Sequence, residues 1–270
     1  MGKVGVPGLL AIVAVVVITN MLGGGEGGGS GDIGDLLEDL GGSQLEPAGE
    51  PPPPGADPDR DLVDFMSFVL DDVQGMWTKV FAENGRDYER AELVLFEGST
   101  SSDCGGATEA IGPHYCPPDS NIYLDLDFFR ELRRRFGAPG DFAQAYVLAH
   151  EVAHHVQNLL GINAEIHRAS REDPDGANEL SIRLELQADC FAGVWGYTIF
   201  ERDLLESGDL EEGLDAAAAI GDDRIQEQST GRIDKESWTH GSSAQRVKWF
   251  RMGFETGDPD ACDTFTPSSV

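Results

Sequence analysis

Residues 143–161 read AQAYVLAHEVAHHVQNLLG, and the fold turns on how this stretch is read. It is apolar at most positions, free of proline and closed by a glycine. That pattern describes a buried helix from Phe142 to Leu160, with Asp141 as its N-cap and Gly161 as its stop. Inside it, His150-Glu151-Val152-Ala153-His154 is an H-E-x-x-H sequence. Four residues turn a helix through about 400°, so the two imidazoles leave one face a turn apart and can share a metal ion. Glu151 stands about 100° round, close enough to reach a metal-bound water without binding the metal itself. His155 falls about 140° from His150 and is expected to pack elsewhere. The contexts of His114 and His167 argue against a place at the site.

A catalytic zinc takes three protein ligands and keeps one position open. The third is sought in Leu184-Glu185-Leu186-Gln187-Ala188-Asp189, where two carboxylates stand at i and i+4. Their neighbours Leu184, Leu186, Ala188, Phe191, Ala192, Val194 and Trp195 are apolar. Burying two carboxylates costs several kcal/mol unless each meets a cation or a donor. One is therefore expected on the metal, and the other on the second N–H of a metal-bound histidine, His150. Spacing alone allows either assignment.

Outward from these helices the domain, residues 61–270, reads as mainly α with a small sheet. Leu62, Phe65, Met66, Val69, Val73, Met76, Trp77 and Val80 recur at helical steps, and Asn84-Gly85 ends that helix. Ala91–Phe96 and Asn121–Asp125 read as strands, the second offering an edge to an extended peptide. Further helices are expected over Asp127–Phe136, Glu179–Phe200, Leu210–Gln228 and Ser243–Phe254, the last capped by Ser242 or Ser243.

Residues 23–60 form a Gly-, acid- and Pro-rich flexible linker. Before it, Val4–Leu22 carries no charge and approaches the ~20 residues that span a bilayer. Residues 1–22 are accordingly expected to be a single transmembrane anchor, with the rest of the chain outside the cytoplasmic membrane. Cys104, Cys116, Cys190 and Cys262 all follow the anchor. An even count in an exported domain suggests two disulfides, a short loop Cys104–Cys116 and a tail clamp Cys190–Cys262, although three pairings are possible. Cys190, inside an apolar helix, is the best candidate for a free thiol instead. No C-x-x-C pair offers a cysteine zinc site. The net charge of −30 argues against a nucleic-acid partner.

HEVAHHVQNLLG followed by RLELQADCFAGVW, with GPHYCPPDSNIYLD before and THGSSAQRVKWFRMGFETGD after, resembles the neutral zinc metallopeptidase family of bacterial membrane-anchored proteins. The resemblance covers the domain from about Asp61 and leaves the linker outside. H-E-x-x-H with E-x-x-x-D also resembles the gluzincin peptidases, including membrane proteases, and implies a zincin-like fold. The resemblance implies that His150, His154 and Glu185 hold Zn2+, that Glu151 is the general base, and that Asp189 supports a histidine. It further implies that His240, in Thr239-His240-Gly241, stabilises an oxyanion, and that Arg246 orients it or binds substrate. The expected function is a zinc-dependent endopeptidase acting on proteins or peptides. The alternatives are an inactive zincin-fold binding module, against which the intact Glu151 counts, and a tethered scaffold, which leaves the two i,i+4 sets of ligand-type residues unexplained.

Overall fold

A computed structural model describes residues 59–108, 112–135, 140–266 and 270. The Val4–Leu22 segment and nearly all of the linker lie outside the described residues. Among the described residues no helix is long and apolar enough to cross a membrane.

Helix α1 (Arg60–Glu83) buries Met66, Val69, Val73, Trp77 and Phe81. Their spacing of three and four residues gathers them on one face, and Gly85, at φ +69°, takes the left-handed turn that follows. Strand β1 (Glu92–Phe96) leads into a hairpin, β2 (Ser99–Ser102) and β3 (Gly105–Thr108). Strands β4 (His114–Cys116) and β5 (Asn121–Asp125) complete a second sheet of order β1-β5-β4. There β1 runs parallel to β5, with Leu93 opposite Ile122 and Leu95 opposite Leu124, while β4 runs antiparallel. The sequence expectation is corrected here: β5 is the central strand, hydrogen-bonded on both sides. The terminal strand beside the site is β4, only three residues long within a turn-rich stretch. Cys104 pairs with Cys116 and clips the hairpin to β4.

After α2 (Leu126–Arg135) comes α3 (Asp141–Leu159), whose residues Phe142 to Gln157 are all buried. Its N-cap is Gly140, not Asp141. Asp141 instead enters the first turn, where a carboxylate suits the helix dipole. Gly161, at φ +76°, ends the run, and an unexpected short helix α4 (Ile162–Glu172) begins there. Helix α5 (Ala177–Glu201) is buried from Arg183 to Gly196 and packs on α3. The expected single helix Leu210–Gln228 is two, α6 (Asp209–Ala219) and α7 (Asp222–Thr230). They break at Gly221, where a β-carbon would lie 2.3 Å from the backbone nitrogen of Ser243. Helix α8 (Ser243–Thr256) starts with a capping box between Ser242 and Gln245.

Helices α5 and α8 touch backbone to backbone. A β-carbon on Gly193 would stand 2.0 Å from the Phe250 carbonyl, and one on Gly253 1.9 Å from that of Cys190. Only glycine permits this approach, which brings Arg246 of α8 against Asp189 of α5. The second disulfide, Cys190–Cys262, bolts the C-terminal tail onto the same helix.

Candidate active site

Helices α3 and α5 bring His150, His154 and Glu185 together, all three buried. Nε2 of His150 lies 3.2 Å from Nε2 of His154 and 3.1 Å from Oε2 of Glu185. The other Glu185 oxygen is 3.4 Å from Nε2 of His154. Donors on one tetrahedral zinc, at ~2.0–2.1 Å from it, stand about 3.3–3.4 Å apart. The three side chains are therefore spaced as ligands around a common point, and their chemistry, two imidazoles and a carboxylate, suits zinc.

Beneath His150 sits a charged network. Its Nδ1 donates to Oδ1 of Asp189 at 2.9 Å. That oxygen also accepts from the Tyr146 hydroxyl at 2.5 Å and from Nη2 of Arg246 at 2.9 Å. Nε of Arg246 donates to the other Asp189 oxygen at 2.8 Å, and its Nη1 to the Ile220 carbonyl at 3.3 Å. Asp189 and Arg246 are 0% and 2% exposed, so the pair is desolvated and each charge depends on the other. Burial disfavours the Asp189 carboxylate, but Arg246 and His150 outweigh it and hold its pKa below the usual range. Burial likewise opposes charge on His150, yet Asp189 and Glu185 together push it up to about 9 in the absence of metal. Glu185 pays the same burial penalty, and the neighbouring imidazoles still hold it well below its ordinary value.

A cavity of about 280 Å3 opens over these groups, and its wall includes His114, Tyr115, Phe128, Val147, Glu151 and His240. Among the described residues the Glu151 side chain has no hydrogen-bonding or ionic partner, so its carboxylate is uncommitted beside the metal-type cluster. His240 reaches the same cavity from the loop before α8. Asp222, at the start of α7, fixes that loop. Its Oδ2 accepts from the backbone N–H groups of Thr239 at 2.8 Å, His240 at 2.7 Å and Gly241 at 3.0 Å. Its Oδ1 accepts from Nδ1 of His240 at 3.1 Å. Although burial works against the imidazolium, Asp222 and then Glu185 raise the His240 pKa.

The arrangement differs from the sequence expectation in particular places. Arg246 lines the same cavity and also commits donors to Asp189, Tyr146 and Ile220 beneath His150. His114, not expected near the site, lines the cavity, stacked on Tyr123. His155, as expected, packs away from it, against the Tyr115 hydroxyl and the Glu89 carbonyl. Asp222, 18 residues before His240, was missed because no local spacing links it to the loop. Gln157, whose Oε1 lies 2.9 Å from Nδ1 of His154, was also missed, although a glutamine three residues past a histidine on a buried helix is a readable signal.

Comparison with known proteins gives the site a context. The chain is 48% identical over 205 residues to "Uncharacterized protein YpfJ" of Escherichia coli (strain K12), covering 76% of this chain and 71% of that one. It is 43% identical over 227 residues to "Uncharacterized protein Rv2575" of Mycobacterium tuberculosis (strain ATCC 25618 / H37Rv), covering 80% and 75%. No solved structure matches it. A family model described as "Putative neutral zinc metallopeptidase" matches residues 3–265, so the likeness begins well before Asp61 and takes in the apolar N-terminal run and the linker. With that match spanning nearly the whole sequence, and a zinc-type ligand cluster at its centre, the chain belongs to this zinc metallopeptidase family.

Proposed function

We propose that the protein is a zinc-dependent endopeptidase of the zincin type. The observation that carries this reading is the convergence of His150, His154 and Glu185 on one point, with the uncommitted Glu151 in the same cavity wall. Bound there, zinc supplies a Lewis acid for the scissile carbonyl and lowers the pKa of a coordinated water to about 7.

The remaining work falls to side chains. Glu151 accepts the proton of the attacking water and delivers it to the departing amine nitrogen. His240 spends Nδ1 on Asp222, which leaves Nε2–H to donate to the oxygen that gains charge as the carbonyl is attacked. The raised pKa of His240 favours that charged donor. Asp189 keeps the His150 proton on Nδ1 and so turns Nε2 toward the metal, while Arg246 holds Asp189. An extended peptide pairs with the outer edge of β4, the terminal strand whose His114 and Tyr115 line the cavity.

The reaction takes place outside the cytoplasmic membrane. The two disulfides support an oxidising compartment, and the uncharged Val4–Leu22 stretch supports an anchor. The test is Glu151→Gln. It should retain zinc near wild-type stoichiometry while peptide hydrolysis falls by about 10²–10⁴-fold. Hydrolysis at the wild-type rate would remove Glu151 from the mechanism.

A further inference from the structure

The second histidine of the cluster has its own support, made only of amides and backbone. Oε1 of Gln157 faces Nδ1 of His154 at 2.9 Å. Nε2 of Gln157 donates to the Leu184 carbonyl at 3.0 Å and to Oε1 of Gln187 at 3.1 Å. Nε2 of Gln187 donates in turn to the Cys262 carbonyl at 3.0 Å. Gln157 and Gln187 are 0% and 1% exposed, so water cannot substitute for any of these partners.

The direction of the chain is fixed at its ends. A backbone carbonyl only accepts, so Leu184 and Cys262 oblige each glutamine to present its amide nitrogen to them. Gln187 is then left with its oxygen toward Gln157, and Gln157 with its oxygen toward His154. An oxygen there requires a proton on Nδ1, and the lone pair of His154 is left on Nε2, the atom turned toward His150 and Glu185. Flipping either amide would set two acceptors against each other in a dry interior, which costs ~1–3 kcal/mol or more.

We propose that Gln157 and Gln187 form a tautomer-setting relay for His154, anchored on the carbonyl of Cys262, and are positioning residues for the metal. The relay rests on the metallopeptidase reading for its purpose, but not for its hydrogen bonds. The tail that supplies the last acceptor is held by the Cys190–Cys262 disulfide and by Arg183, which donates to the Thr264 carbonyl at 2.5 Å.

The test uses the full-length chain in two measurements. First, imidazole nitrogen resonances of the metal-free wild type, recorded above pH 9, report which nitrogen of His154 carries the proton. The expected result is Nδ1–H, and an Nε2–H form would overturn the relay whether or not the protein is a peptidase. Second, zinc affinity is read by competition with a chelator. Gln157→Met should weaken zinc about 10–100-fold and admit the Nε2–H tautomer. Gln187→Met leaves Gln157 bonded to Leu184 and should weaken it less. Affinity and tautomer unchanged in a folded Gln157→Met protein would also overturn the proposal. A wild type with the Nδ1–H tautomer and no affinity for zinc would instead overturn the peptidase reading and leave the relay standing.

Discussion

His150 and His154 face one point from a single helix, yet the protein holds the two rings by opposite means. His150 rests on a charged network of Asp189, Arg246 and Tyr146. His154 rests on Gln157, Gln187 and a backbone carbonyl, none of them ionised. Both arrangements leave Nε2 free to bind, but they differ in what they demand. The ionic side must keep two buried charges matched, and it raises the basicity of its ring. The amide side carries no charge and depends only on every donor meeting an acceptor. A ligand cluster that already includes the Glu185 carboxylate thus gains a single further anion, beneath one imidazole.

The largest expected consequence of this difference comes from breaking the ionic side. Asp189→Asn leaves the Arg246 guanidinium buried without its counter-charge, so stability should fall by about 3–5 kcal/mol. Urea unfolding would measure that loss, and zinc competition should show weakening of at least 10–100-fold. A stable Asn variant with wild-type affinity would mean that the network does not support His150.

The second consequence concerns pH. Because Asp189 raises the His150 pKa to about 9, the metal-free ring carries an extra proton at neutral pH that zinc must displace. Affinity should therefore climb about tenfold for each pH unit from 7 towards 9, then level off. An affinity independent of pH over that interval would contradict the raised pKa. A smaller effect is expected from Tyr146→Phe, which removes one of the donors to Asp189 and a long contact to Arg246 but keeps the Arg246–Asp189 pair. The loss of that hydrogen bond to a charged group should cost about 1.5 kcal/mol, with zinc affinity changing less than tenfold. A loss as large as that of Asp189→Asn would show that the hydroxyl, rather than the guanidinium, holds the carboxylate.

Much of the molecule was legible in its sequence where the signal is local. The buried run of α3, the i,i+4 pairs His150/His154 and Glu185/Asp189, the helical period of α1 and the start of α8 near Ser242 all follow from spacing or capping chemistry. What escaped depends on contacts far apart in the chain. Helices α6 and α7 part at Gly221, where Ser243 passes too close for a side chain, a contact invisible in the Leu210–Gln228 periodicity. The place of β5 in the middle of its sheet depends on β4, whose three residues are too few to show alternation. Asp222 is tied to the His240 loop only in three dimensions. Tyr146 and Gln157 are site neighbours within local reach on α3, and a hydroxyl and an amide gave no signal as strong as a carboxylate among leucines.

On the proposed reading, His150, His154 and Glu185 hold one zinc ion. That reading is tested most directly by elemental analysis of the purified protein beside its Glu185→Ala variant. About one zinc is expected per wild-type chain, and little or none in the variant. A folded wild type that takes up no zinc when the metal is supplied, or a variant that keeps a full equivalent, would contradict that reading.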